Sequence, residues 1–424
     1  MGVPNSRMII ATVGGAVVVV AAMTPNLVHW LTNVADQRLV DLDVYRTSGQ
    51  AVLRGASVYD FVTESPQLLP FTYPPFAALL AVPLALLPWA AAQWVMTALI
   101  FLALTISVGY GFRPLIARFG DWAPAAWGVL VAAMSFMLPV SDQFRFGQVD
   151  LFLVALCVAD CATRNPRWPR GILVGFAMAI KLVPGVFLVY LLITGRRAAA
   201  GNAVLTAAAA TLVTLAALPQ DSLDFWFSAL FDSSRVGSNN GTSNQSVRGF
   251  LLRMYWPDMV TSLVWLMAVA VIAYFGFTYA RRASLLGIST PTRAWDAELT
   301  GIAITGLLAV LLSPIAWIHH LAWIVLVVGA LAGDGRDRRR CWAAAGVWLF
   351  YVLTIPWWGL GLIASENPGW ERALGRIVQS SYALAAVALV FILGKWLVNR
   401  MRTESQGLPG GTSPNPTELG TLAP

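Results

Sequence analysis

The chain has 424 residues, 58% of them hydrophobic and only 12% charged, with a mean hydropathy of +0.67, a balance outside the range of water-soluble domains. Its 28 Lys and Arg exceed its 21 Asp and Glu, but the basic residues cluster between apolar runs, which reads as membrane topology and not as a nucleic-acid surface. Cys157 and Cys161 share an apolar run and Cys341 stands apart, so neither a disulfide framework nor a Cys-rich metal site is suggested.

Apolar runs recur from Met8 to Val398. Crossing about 30 Å of hydrocarbon takes about 20 helical residues, and inside lipid a helix is what satisfies the backbone of such runs. The fold expected is therefore an all-α polytopic membrane domain over residues 1–402. Its first run, 8–31, lacks an Ala-x-Ala cleavage site and is read as a retained helix. The polar stretch 33–75 follows, and 76–111 then makes one net crossing broken near Pro83 and Pro88. Arg164, Arg167 and Arg170, Arg196 and Arg197, Arg281, Arg282 and Arg293, Arg336 and Arg338 to Arg340, and Lys395, Arg400 and Arg402 are placed in the cytoplasm with both termini by the positive-inside rule. Segment 171–195 has arginines at both ends and Lys181 and Pro184 in its middle, which predicts a hairpin dipping into the membrane. Ten full crossings plus this hairpin are expected, twelve helical segments at most. From Thr403 the chain turns to Gly, Pro, Ser and Thr and reads as a disordered cytoplasmic tail, 403–424.

The stretches left outside, 33–75, 141–150, 219–253, 313–320 and 357–376, hold every polar constellation. No Gly-rich nucleotide loop, HExxH or CxxC pair occurs. Asp41 and Asp43 are candidates for a general base, with a metal-holding pair or solvated loop acids as the other readings, because residues two apart share a side only in extended chain. His319 and His320 suit proton handling or an anionic oxygen, or simply hydrogen bonding to loop carbonyls. No further Cys, His or close acid cluster completes a metal site, and no cofactor is expected. Arg235 and Arg248 lie in the long external loop 219–253 beside Asn244 and Gln245, against the topological bias for arginine, and guanidinium forks fit a lipid phosphate. Arg145 and the intramembrane Lys181 add two further anion contacts. Tyr73-Pro74-Pro75 fixes the entry into the next helix, and Trp317, Trp323, Trp357 and Trp358 mark an outer aromatic girdle.

Across nearly the whole chain the strings Val40-Asp41-Leu-Asp43-Val-Tyr45, Pro70-Phe-Thr-Tyr73-Pro-Pro-Phe76, Gly147-Gln-Val-Asp150-Leu-Phe152, Lys181-Leu-Val-Pro184, Arg235-Val-Gly237, Asn244-Gln-Ser246 with Arg248-Gly249, and Ser313-Pro-Ile-Ala-Trp317 with His319-His320 follow in order. In these the sequence resembles glycosyltransferase family 87, the GT-C membrane mannosyltransferases that use polyprenyl-phosphate mannose. The resemblance implies a GT-C fold of about 10 to 12 transmembrane helices with long external loops. It further implies α-1,2 transfer to a mannosylated phosphatidylinositol or lipomannan acceptor outside the plasma membrane, with the essential acid at Asp41 and Asp43 at a variable position. Under that reading Asp41, His319 and His320 are catalytic, Arg248, Arg235, Lys181 and Arg145 hold the donor phosphate, and Asp43, Tyr45, Tyr73, Asn244, Gln245 and Trp317 contact substrate. An arabinosyltransferase using a polyprenyl-phosphate donor and a lipid transporter are the alternatives.

Overall fold

In the computed structural model the described residues are 6–32, 39–232, 235, 239–364 and 368–406. Among them the regular structure is helical, with two isolated bridges, Val62 to Pro70 and Asn244 to Trp317. Six helices are long and apolar enough to cross a membrane: α1 (Ser6–Thr32), Trp89–Gly111, Arg197–Ala217, Asp258–Ser289, Ala294–Leu311 and Ser381–Thr403. Counting the bent pairs Gly120–Ser135 with Leu138–Phe146 and Arg338–Val352 with Ile355–Leu362 as single spans brings the total to eight. By length and composition the described residues thus give six to eight spans beside the ten crossings expected, with further, shorter apolar helices at Pro75–Ala85, Val183–Ile193 and Ile318–Ala332. Of the expected tail, 403–406 ends a helix and 407–424 lies outside the described residues, as does 33–38 of the first external stretch.

Ala294–Leu311 forms the centre of the bundle, and all its residues from Asp296 onward are buried apart from Glu298. Asp258–Ser289 lies at the edge and turns Met259, Leu263, Leu266 and Met267 outward, as expected where lipid, not water, is the solvent.

Outside the bundle, α2 (Val40–Arg54) turns Leu42, Val44, Tyr45, Ser48 and Gly49 inward and stops at Gly55, whose φ of 66° suits a left-handed cap. It packs on α3 (Pro75–Ala85), and the contact needs Gly49: a Cβ there would lie 2.8 Å from the Ala81 carbonyl oxygen. Of the breaks expected at Pro83 and Pro88, only the second is present. Pro88, without an N–H, precedes α4 (Trp89–Gly111), while Pro83 stays inside α3.

Segment 171–195 is a hairpin of two short helices, Ile172–Ile180 and Val186–Ile193, joined through Lys181 and a single 3₁₀ turn. Gly171 abuts Ala199 and Gly175 abuts Ala203, so the first helix runs alongside the start of Arg197–Ala217 in the same direction. A straight crossing would have brought Gly171 to the far end of that helix. One helix, Asp150–Ala162, grips the hairpin at both levels. Near its C-terminus the buried Asp160 accepts from the Gly171 and Val174 amides at 2.9 and 3.0 Å and from the Trp168 indole at 3.1 Å. At its N-terminus Asp150 accepts from Lys181 at the tip.

Candidate active site

Four elements converge: the first turn of α2, the first turn of Asp150–Ala162, the Lys181 break, and the 3₁₀ segment Ile318–Trp323. Gly147 makes the approach possible. It ends the helix Leu138–Phe146 with φ 72°, and a Cβ there would sit 2.8 Å from the Leu42 Cβ of α2. The Leu39 backbone amide donates to the Arg145 carbonyl at 2.9 Å, and the Gln143 side-chain Nε2 donates to the His319 carbonyl at 2.7 Å. Helix Leu138–Phe146 thus ties α2 to the His-His segment.

Asp41 and Asp43 lie in the first turn of α2, where carboxylates favour the helix dipole, and in a helix they face different surroundings. Asp41 receives a hydrogen bond from the Gln148 side chain and lies within the fields of Lys181 and Asp150. Burial pushes its carboxyl from 3.8 up to about 7, against the Gln148 bond and the Lys181 charge that pull it down. Burial also raises Asp43, with Arg46 opposing, but Asp43 feels Glu64 and Arg46 and not the groups around Asp41.

Tyr45 donates to Gln148 Oε1 at 2.9 Å and lies 3.0 Å from the Tyr73 hydroxyl. Both phenols are raised by burial and stay neutral, so they serve as hydrogen-bonding groups that fix the Gln148 amide against Asp41.

Lys181 Nζ is 2.8 Å from Asp150 Oδ1 and 3.0 Å from His320 Nε2, and it lies 5.2 Å from the centre of the Tyr73 ring. The Trp317 amide lies 3.2 Å from His320 Nδ1 and the Lys181 ammonium 3.0 Å from Nε2, so a neutral ring, with a single acceptor nitrogen, accepts from one of these donors and not both. The Lys181 ammonium, held between Asp150 and His320, is a buried cation that an anionic oxygen can meet. Beside it, His319 Nε2 and Asp150 Oδ2 are buried without a hydrogen-bond partner among the described residues. Asp150, His319 and His320 offer ligand atoms within 4.8 Å of one another, a spacing a metal ion could use. Lys181 is bonded to two of these three groups and already supplies the positive charge there.

The structure thus brings together Asp41, Tyr45, Tyr73, Lys181, His319 and His320. It places the other expected residues elsewhere. Arg145 lies over Trp30 and Phe146, and Phe146 in turn meets His319 edge-on. Arg235 donates to the Tyr59 carbonyl at 2.5 Å, and Arg248 lies over Trp265. Asn244 accepts from Ala316 and Ser246, and Gln245 bonds to Ala316, Thr242, Gln379 and Ala383, so this pair stitches the loop before Val247–Leu252 to the 313–317 turn. Trp317 orients His320 through its backbone. Gln148 and Asp150 were not among the expected site residues, although both stand in the Gly147-Gln-Val-Asp150 string.

The family model for glycosyltransferase family 87 matches residues 71–314, more than half of the chain. The chain belongs to glycosyltransferase family 87. This family-87 chain is 32% identical over 402 residues, 89% of each sequence, to a Mycobacterium tuberculosis protein named polyprenol-phosphate-mannose-dependent alpha-(1-2)-phosphatidylinositol mannoside mannosyltransferase. A protein of the same name from Mycolicibacterium smegmatis is 29% identical over 86% of this chain and 85% of its own length. A second M. tuberculosis relative, named for a phosphatidylinositol pentamannoside acceptor, is 30% identical over 84% of this chain and 78% of its own length. No solved structure matches the chain. The protein is a membrane glycosyltransferase, and the family match spans Tyr73, Gln148, Asp150 and Lys181 while Asp41 and the His-His pair fall outside it.

Proposed function

We propose that the protein transfers mannose from polyprenyl-phosphate mannose to the sugar of a mannosylated phosphatidylinositol, forming an α-1,2 linkage with inversion on the outer face of the plasma membrane. The names of the relatives support donor and acceptor. The observation that carries the chemistry is the pairing of a carboxylate poised near neutrality with the buried ammonium of Lys181, held between Asp150 and His320.

Asp41 takes the proton of the acceptor 2-hydroxyl as that oxygen attacks the anomeric carbon. The bond from the anomeric carbon to the phosphate oxygen breaks with its electron pair on the phosphate, so a β-linked donor gives an α-linked product. The departing polyprenyl phosphate gains charge, which the Lys181 ammonium meets, held in place by Asp150 and His320. Gln148, held by Tyr45 and Tyr73, orients the Asp41 carboxylate. Arg145 and Arg235 add positive field from behind His319 and Tyr59, whereas Arg248, resting on Trp265, contributes little.

Purified protein, polyprenyl-phosphate mannose and a mannosylated phosphatidylinositol test the proposal directly. Wild type is expected to form a product whose new linkage is α-1,2 by NMR, and Asp41→Asn and Asp41→Ala to lose transfer almost completely while remaining folded. Substantial transfer by both variants would remove Asp41 from the base role.

A further inference from the structure

The fold completes a cluster that the sequence pattern leaves one ligand short. His319 and His320 adjoin on the 3₁₀ segment Ile318–Trp323 with ring centres 4.7 Å apart, and the first turn of Asp150–Ala162 brings a carboxylate to them. Each of the three residues offers one ligand atom, and these atoms lie within 4.8 Å of one another. Ligand atoms at about 2.1 Å around a tetrahedral zinc ion stand about 3.4 Å apart, so side-chain movements of less than about 1 Å each close the set.

Two further observations point to a ligand. Asp150 Oδ2 and His319 Nε2 are buried without a hydrogen-bond partner among the described residues, whereas a buried polar atom normally has one. His320 is only half-buried, which leaves an approach to the cluster. Two imidazoles and a carboxylate are a donor set for zinc and not for magnesium or calcium, which take oxygen ligands.

Lys181 Nζ lies 2.8 Å from Asp150 Oδ1 and 3.0 Å from His320 Nε2, so the ammonium already uses two of the three residues. A metal ion and an ammonium cannot share them, because two cations a few ångströms apart in a buried site repel strongly. The lysine stem is flexible enough to carry the ammonium away.

We propose that Asp150, His319 and His320 form a zinc(II) site that competes with Lys181, so that a bound ion displaces the cation that meets the leaving phosphate and stops transfer. Binding of the ion follows from the cluster alone; its effect on turnover rests on the transfer reaction proposed above.

The test uses tag-free, full-length protein in lipid nanodiscs with zinc sulfate as the probe. Calorimetry should find one zinc ion per chain for wild type. His319→Ala and Asp150→Asn should each weaken binding by about 100-fold or more, since they remove a ligand. Lys181→Met should instead tighten it by about 10-fold, because the competing cation is gone. Zinc at about 100 times its dissociation constant should also raise the melting temperature of Lys181→Met by about 5 °C, by restoring a positive charge beside Asp150. Transfer by wild type should fall with zinc occupancy and return on adding EDTA, while magnesium and calcium leave it unchanged. Zinc that binds as tightly after His319→Ala, or less tightly after Lys181→Met, overturns the inference, and so does undiminished transfer by the zinc-loaded protein. Should the variants fail to fold, wild type decides through cobalt(II): one equivalent should give the visible absorption of a four-coordinate ion, lost on adding zinc, and a chain without that band has no such site. Wild type that transfers nothing from polyprenyl-phosphate mannose sinks the reaction while zinc binding still decides the site, whereas active wild type that binds no zinc sinks the site alone.

Discussion

Replacing Asp41 by Asn should abolish transfer and, at the same time, stabilise the fold. The carboxyl titrates at about 7 in the folded chain against 3.8 when unperturbed. At about 1.36 kcal/mol per pH unit, holding it ionised near neutrality costs the fold up to about 4 kcal/mol. Asp41 keeps some access to solvent, and screening reduces the figure to roughly 2 kcal/mol. The sign follows from proton binding: between about pH 4 and 7 the folded chain keeps a proton that the unfolded chain has released, so wild-type stability falls as pH rises through that window and levels off above it. Asp41→Asn keeps the shape and can still accept from Gln148 but has no such proton. Its advantage should be near zero at about pH 4, grow toward pH 7 and then stay flat. Tryptophan-fluorescence melting of both proteins in nanodiscs at one scan rate, repeated across pH, measures this as a shift of a few degrees. An Asp41→Asn variant that melts no higher than wild type at pH 7.5, or by a margin independent of pH, would refute the claim that Asp41 is held ionised against its surroundings.

The same titration should appear in the kinetics, with log kcat/KM for transfer rising at unit slope in acid and bending near pH 7; a profile flat from pH 5 to 8 would contradict an Asp41 base. Lys181→Met should lower kcat by about 100-fold or more and destabilise the chain by about 3–5 kcal/mol by stranding Asp150, measured by turnover and denaturation. Lys181→Met together with Asp150→Asn should recover most of the stability and none of the activity. Arg248→Ala, by contrast, should change donor KM by less than about threefold, because the guanidinium rests on Trp265. Gly147→Ala should reduce both stability and turnover, since it must adopt φ 72° against Leu42; an unchanged melting temperature would show that α2 has room to retreat.

Much of this was legible in the chain itself because membrane composition is loud and the order of short strings is specific. Hydropathy gave helices, and arginines at both ends of 171–195 gave the hairpin. The helix count was less legible, since hydropathy records apolar length and not whether a run bends or stops, as the runs through Lys181 and Ile318–Trp323 do. The site was half legible. Asp41 and the His-His pair stood out as rare groups in apolar surroundings. Gln148 and Asp150 did not, because their importance lies in contacts with α2 and the hairpin, more than 30 residues away in either direction. Arg145, Arg235 and Arg248 drew notice by charge alone, which says nothing of the aromatic rings that lie against all three.

The single helix Asp150–Ala162, about 18 Å long at 1.5 Å per residue, clamps the hairpin at base and tip. The depth of the Lys181 ammonium is thereby measured from the protein's own interior and not from the surrounding bilayer. Membranes of different thickness would tilt the peripheral span Asp258–Ser289 and leave the height of the reaction unchanged, so turnover should vary little with the acyl-chain length of the reconstituted lipid.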